Sequence, residues 1–268
     1  MELTAHALTV RGPHAPMLRP TSVTVAERRL TLVAGDPGVG HVALSLAVSG
    51  RLRPDGGEVR LDGRQVYAGG NAEAALRRRV AVVDTPGVTE PDDPLPVRTV
   101  VGEELAIAGR KAGRRAVRTW LDEQGAGEFA DARFEHLPVD VRTRLLAELT
   151  AARPDVRMIV LTLPDRFGGD PLDWYDVARD LAGRGYGVLV TCSDTSARVL
   201  GVDASRFGET VQAEPVEVPA TAIIAGAESG TAEADVVPAE HEGPDERRHA
   251  GSQGPDERKE GTGADGVE

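Results

Sequence analysis

The residues whose types and spacing could do chemistry lie in Gly35-Asp36-Pro37-Gly38-Val39-Gly40-His41-Val42. A loop that cradles nucleotide phosphates follows the pattern G-x-x-x-x-G-K-[ST]. Gly35 and Gly40 fill its glycine positions, and Gly38 is an additional one. Glycines let such a loop turn tightly, so that backbone N–H groups converge on an anion at the N-terminus of the following helix. The two side-chain positions of the pattern differ here. His41 stands where the lysine belongs and Val42 where the hydroxyl belongs. Lysine supplies a point charge to the outer phosphates, and the hydroxyl holds Mg²⁺. An unperturbed histidine is mostly neutral at pH 7, and valine has no atom that binds a metal. The segment fits either a residual nucleotide site built from Gly35, Gly38, Val39, Gly40, His41, Val42 and Ala43, or a glycine-rich turn with no ligand.

An α/β framework must hold this loop. Arg29–Ala34 is a β-rich run that leads into it, and Ala43–Ser49 behind it is helix-like. Leu3–Val10 and Ser22–Ala26 read as short alternating strands. Glu58–Leu61 is a strand between the turn signals Gly56-Gly57 and Asp62-Gly63. Val80–Val83, Met158–Leu161 and Val188–Val190 are continuous apolar runs, the pattern of parallel strands buried on both faces. Thr99–Ala108, Arg114–Glu123 and Trp174–Leu181 look helical. Val141, Leu145, Leu146, Leu149 and Ala152 recur at helical spacing. Strands alternating with helices place the chain in the α/β class. Arg77-Arg78-Arg79 reads as a solvated helix end in preference to a phosphate patch.

Charge is unevenly spread. Residues 213–268 carry 14 Asp/Glu and four Lys/Arg, whereas residues 1–212 carry 29 acids and 27 bases. The nearly neutral body lacks the basic footprint of a nucleic-acid-binding protein. Residues 213–268 contain no Phe, Tyr or Trp. Gly243-Pro244-Asp245-Glu246-Arg247-Arg248 nearly recurs there as Gly254-Pro255-Asp256-Glu257-Arg258-Lys259. This composition predicts an acidic disordered tail and leaves 1–212 as the folded domain. The single cysteine, Cys192, excludes an internal disulfide and fits a reducing compartment. The N-terminus does not read as a signal peptide, and no apolar stretch reaches the length of a membrane span. Together these features point to a cytoplasmic location.

The loop, its helix and the segment Arg51-Leu52-Arg53-Pro54-Asp55-Gly56-Gly57-Glu58-Val59-Arg60-Leu61-Asp62-Gly63 resemble the ATP-binding subunit of ABC transporters. In that family the loop helix is followed by Pro-x-Gly-Gly-x-[Ile/Val] and an x-x-Gly turn, as here. The resemblance runs in register to about Asp203. It implies a P-loop NTPase fold of ABC type, with a parallel-sheet core, an antiparallel β subdomain and a helical subdomain inserted at about residues 95–150. It also assigns the functional positions. The Q-loop glutamine falls on Thr85. The signature Leu-Ser-Gly-Gly-Gln falls on Leu137-Pro138-Val139-Asp140-Val141. The Walker B Asp-Glu-Pro falls on Thr162-Leu163-Pro164, and the switch histidine on Cys192. Gly168-Gly169-Asp170-Pro171 corresponds to a displaced D-loop, and His14 is the candidate for stacking on adenine.

Hydrolysis needs a group that positions water, a metal and charge neutralisation. Leu163 cannot polarise water, and Thr162 with Val42 leaves no carboxylate and no hydroxyl pair for Mg²⁺. Asp140, near a helix N-terminus where a carboxylate is favourable, stands where a phosphate would otherwise sit. The resemblance therefore implies a degenerate ABC ATP-binding protein. ATP binding is weak or absent, no metal is expected, and Thr85, Thr162, Leu163 and Cys192 mark lost catalytic positions. Its partner is a membrane permease or a paralogous ABC ATPase subunit, in a homo- or heterodimer at the inner face of the plasma membrane. Two alternatives stay open: a subunit that still binds and slowly hydrolyses ATP, and an interaction module of ABC fold with no nucleotide role. A GTPase reading of Asp84-Thr85-Pro86-Gly87 with Thr191-Cys192-Ser193-Asp194 lacks the lysine of both motifs. Its two segments also lie far beyond one strand-helix-strand unit of about 30 residues.

Overall fold

Apolar runs without polar alternation can only be satisfied by strands covered on both faces, and such runs form the centre of this molecule. The computed structural model describes residues 1–69 and 71–220. In chain order its elements are β1 (Glu2–Val10), β2 (Leu18–Ala26), β3 (Arg29–Gly35), α1 (Val39–Val48), β4 (Gly56–Leu61), β5 (Arg64–Gln65), α2 (Ala72–Arg79) and β6 (Val80–Val83). Then come α3 (Val97–Ile107), α4 (Arg114–Glu123), α5 (Val139–Ala151), β7 (Met158–Thr162), α6 (Pro171–Gly183), β8 (Gly187–Ser193), α7 (Asp194–Leu200), β9 (Ser205–Arg206) and β10 (Val216–Glu217).

Strands β3, β8, β7 and β6 lie side by side and parallel, in that order. β9 pairs parallel to β3, and β10 adds an antiparallel edge on β3. A second sheet, β2-β1-β4-β5, is antiparallel throughout. Its last hairpin turns at Asp62-Gly63, both at positive φ, as a tight two-residue hairpin turn requires.

Two buried clusters fill the space between these layers. One packs α1 (Ala43, Leu44, Ala47) between the antiparallel sheet (Leu3, Val25, Val59) and one face of the parallel sheet (Val33, Val160, Leu189). The other covers the opposite face (Ala34, Leu161, Val190, Cys192) with α5 and α6 and continues into α3 and α4. Each fully buried Leu or Ile in these clusters stabilises the fold by about 1.5–3 kcal/mol relative to exposure. Helices α3, α4 and most of the path to α5 form an arm that leaves the parallel sheet after β6 and returns through α5.

The tail expectation needs one correction. β10 and Val218 lie past residue 213, yet Val216 and Glu217 pair with Leu30 and Arg29. Val218 is buried, and its N–H donates to the Arg28 carbonyl. The folded body therefore extends to at least residue 220. Backbone pairing with β3 and the burial of Val218 outweigh the acidic composition around them. The rest of the expected tail lies outside the described residues. Arg77-Arg78-Arg79 forms the last turn of α2, where cations complement the helix dipole, and Arg77 donates to the Gly50 carbonyl. Among the described residues no helix is long and apolar enough to cross a membrane.

Candidate functional site

The glycine-rich loop lies where the residues predict, between the end of β3 and the start of α1. α1 begins after Gly38 with no side-chain cap and no acidic residue in its first turn. His41 does not project from the loop. It is buried, with only 1% of its surface exposed, and its Nε2 lies 3.1 Å from the Asp36 carbonyl oxygen. That contact requires Nε2 to carry the proton, which leaves Nδ1 as an unprotonated acceptor; Nδ1 is buried without a partner. Burial pushes the imidazole below its ordinary value of 6.5, against smaller raising effects from the Asp36 carbonyl and Asp165. The neutral ring packs against Phe207, with centroids 4.4 Å apart and planes tilted by 57°.

Behind the loop runs a buried chain of hydroxyls. Thr162 Oγ1 donates to Ser45 Oγ at 3.0 Å, and Thr85 Oγ1 lies 2.9 Å from Thr162 Oγ1. A threonine hydroxyl has one proton, so Thr85 is the donor in the second bond. The structure thus brings Thr85 and Thr162 together. Leu163 follows in a left-handed conformation, φ 50°, and is buried. Such a turn costs a non-glycine residue about 1–3 kcal/mol, and here it is held by Leu163 N–H donating to the Thr191 carbonyl.

Cys192 is not brought to the loop. Its side chain belongs to the cluster on the opposite face of the sheet from α1. Burial, with Asp165 and Asp194 nearby, pushes its thiol up to about 12. An un-ionised thiol in that position cannot touch a phosphate held by α1. His14 is exposed; Phe207 is instead the aromatic residue that reaches the loop. Gly168 and Gly169 adopt positive φ before α6, and Asp170 caps that helix by accepting from Leu172 N–H. Asp140 is exposed in the first turn of α5.

The guanine-type motif pair dissolves on inspection of its partners. Asp84 accepts two hydrogen bonds from Arg142 and a third contact from Arg166. Ser193 caps α7, and Asp194 pairs with Arg206. Asp165 was not among the expected site residues. It accepts from Ser193 N–H at 2.9 Å and Ser196 Oγ at 2.6 Å, and so ties the turn after β7 to the start of α7.

No protein-family model matches the chain. A hemin import ATP-binding protein, HmuV of Pseudomonas entomophila, is 32% identical over 202 residues, covering 70% of this chain and 77% of that protein. The chain belongs to the family of ABC ATP-binding proteins. HmuV of Bordetella bronchiseptica is 31% identical over 210 residues, covering 72% of this chain and 78% of that protein. The dimeric structure of MJ0796, a bacterial ABC transporter cassette, aligns with a TM-score of 0.59 at 16% identity, over 80% of this chain and 98% of that one. This last likeness speaks for the fold alone.

An ABC ATP-binding protein is expected to take MgATP at this loop, so the donor set matters. For the metal it does not fit. Ser45, Thr85 and Thr162 are neutral, fully buried and bonded to one another. Val42 and Leu163 offer no donor, and among the described residues no three His, Cys, Asp or Glu side chains gather as a metal site. For a phosphate the fit is better, because α1 starts uncapped. A cavity of about 380 Å³ also opens beside the loop, lined by Met17, Arg19, Gly40, His41, Asp194 and Phe207.

Proposed function

We propose that this ABC ATP-binding protein works without metal-dependent ATP hydrolysis, as a structural or regulatory partner of a membrane permease or of an active paralogous cassette. The observation that carries this reading is His41. Its ring occupies its own loop, neutral and hydrogen-bonded to Asp36, where the family's mechanism needs a cation. The hydroxyl chain from Thr85 through Thr162 to Ser45 supports it, because a buried group already bonded gains little by turning to a ligand. The hemin-import relatives suggest an importer as the assembly, with this chain docked on the cytoplasmic face of its permease.

Binding that survives is expected to be weak and independent of Mg²⁺. The uncapped start of α1 favours this over a complete loss of phosphate affinity. A bound phosphate favours the charged form of His41, so affinity rises as pH falls. Calorimetric titration of ATP at about pH 6 and about pH 8, with and without Mg²⁺, tests the reading. Weak binding at the lower pH, unaffected by Mg²⁺, is the expected result. Tight binding at the higher pH that requires Mg²⁺ contradicts it.

A further inference from the structure

We propose that the charge cluster Asp84–Arg142–Arg166–Glu90 is a clamp that fixes the helical arm, α3 to α5, on the parallel sheet whether or not nucleotide is present. The inference goes beyond the functional reading above and stands without it.

The arm has two covalent connections to the sheet. It leaves through the segment between β6 and α3, and it returns through α5. The cluster joins both. Asp84 directly follows the exit strand β6, and Arg142 lies near the start of α5. Arg142 Nε donates to Asp84 Oδ2 at 2.9 Å and Nη2 to Oδ1 at 2.8 Å, a bidentate fork. Arg166, from the turn after β7, reaches Asp84 Oδ1 and Glu90 Oε1, each at 2.9 Å. It also lies within 3.3 Å of the Thr162 and Leu163 carbonyls. The two guanidinium groups share the ring of Phe167, and Arg142 also lies over Phe134. Exit segment, return helix and sheet are thereby held by one group of charges.

Burial makes the clamp strong. The Arg142 and Asp84 side chains are only 5% and 11% exposed. Swinging the arm would separate them, leaving buried Arg142 without its bidentate partner and Asp84 with Arg166 alone, which is costlier than breaking an exposed pair. A hinge also needs a few residues free to change φ and ψ. Here the exit turn is pinned, because the N–H groups of Val88, Thr89 and Glu90 all donate to the Thr85 carbonyl. The position of the arm is set by side chains of this chain, with no ligand needed to complete it.

The test is a distance measurement on the full chain carrying Arg64→Cys on β5 and Arg118→Cys on α4, both exposed positions. Cys192 is fully buried and escapes labelling. With spin labels at the two sites, pulsed electron resonance gives the arm-to-body distance distribution without nucleotide and with saturating MgATP. The clamp predicts one narrow population, identical in both. Asp84→Ala should broaden it roughly twofold, because Arg142 and Arg166 lose their shared partner. Glu90→Gln, at the more exposed rim, should broaden it less and serves if Asp84→Ala fails to fold. A wild-type distribution that shifts with MgATP, or variants that keep the wild-type width, would overturn the clamp. Phosphate release with a fixed arm would instead sink the functional reading and leave the clamp standing.

Discussion

His41 and Phe207 lie ring to ring at the start of α1, and two paired strands deliver them. β3 runs into the glycine-rich loop, and β9, which pairs with β3 through Val33↔Ser205 and Ala34↔Arg206, leads directly into Phe207. A Cβ atom on Gly35 would lie 2.8 Å from Phe207 Cδ2. The first glycine of the phosphate-loop pattern therefore has a packing role here, making room for the ring that holds His41 in place.

Burial of His41 makes stability depend on pH. Its folded-state value lies below 6.5, so the unfolded chain binds the proton first as pH falls. The stability conferred by neutral His41 is complete above 6.5 and is lost between 6.5 and the lowered folded value. The melting temperature should fall from about pH 7.5 to about pH 5.5, and fall less in His41→Gln, whose side-chain amide can still donate to the Asp36 carbonyl. Equal pH slopes in the two proteins would show that His41 is not the titrating group.

Restoring the missing carboxylate should not restore turnover. Leu163→Glu places a base at the family's position but leaves the hydroxyl chain and Val42 unchanged, so no phosphate release is expected. The variant should also lose about 1–3 kcal/mol, since Leu163 is 7% exposed and a polar group there lacks a partner. Release of phosphate by Leu163→Glu alone would mean that a metal site forms from other residues.

The Asp84–Arg142 pair should show strong coupling. Removing Asp84 leaves Arg142 and Arg166 without their shared carboxylate, at about 3–5 kcal/mol, whereas removing Arg142 costs less because Asp84 keeps Arg166. In a double-mutant cycle with Asp84→Ala and Arg142→Ala, the combined loss should fall well short of the sum. Denaturant unfolding of the three variants provides the measurement, and simple additivity would mean the pair is not a unit.

The length of the body can be checked by truncation. A chain ending at Gln212 lacks β10 and buried Val218, whereas one ending at Ala220 keeps both. The shorter protein should melt lower, by about 2–8 °C for a loss of about 1–2 kcal/mol. Equal melting temperatures would show that the edge strand adds nothing.

Much of this fold is legible in the residues because its signals are local. β6, β7 and β8 announce themselves as unbroken apolar runs, and α4 as an amphipathic helix with Val117 and Leu121 buried. The two-residue strands β5, β9 and β10 are too short to show such periodicity, and β9 and β10 are defined only by pairing with β3, far away in sequence. The site divides in the same way. The loop is visible as a glycine spacing, and the hydroxyl positions follow from the family register. The packing of Phe207 on His41 and the fork from Arg142 to Asp84 join residues with no local relationship, so only the folded chain shows them. Thr191-Cys192-Ser193-Asp194 misleads for a related reason: a strand end followed by a capped helix produces the same letters as a base-reading motif.

Phosphate release from MgATP by the purified chain, with His41→Ala as control, tests the central claim most directly. A neutral His41 folded into its own loop and a hydroxyl chain without a metal ligand predict release no faster than the buffer blank, in both proteins. A steady rate in the wild type that His41→Ala abolishes would contradict the account, because it would show His41 acting as the cation that this arrangement denies it.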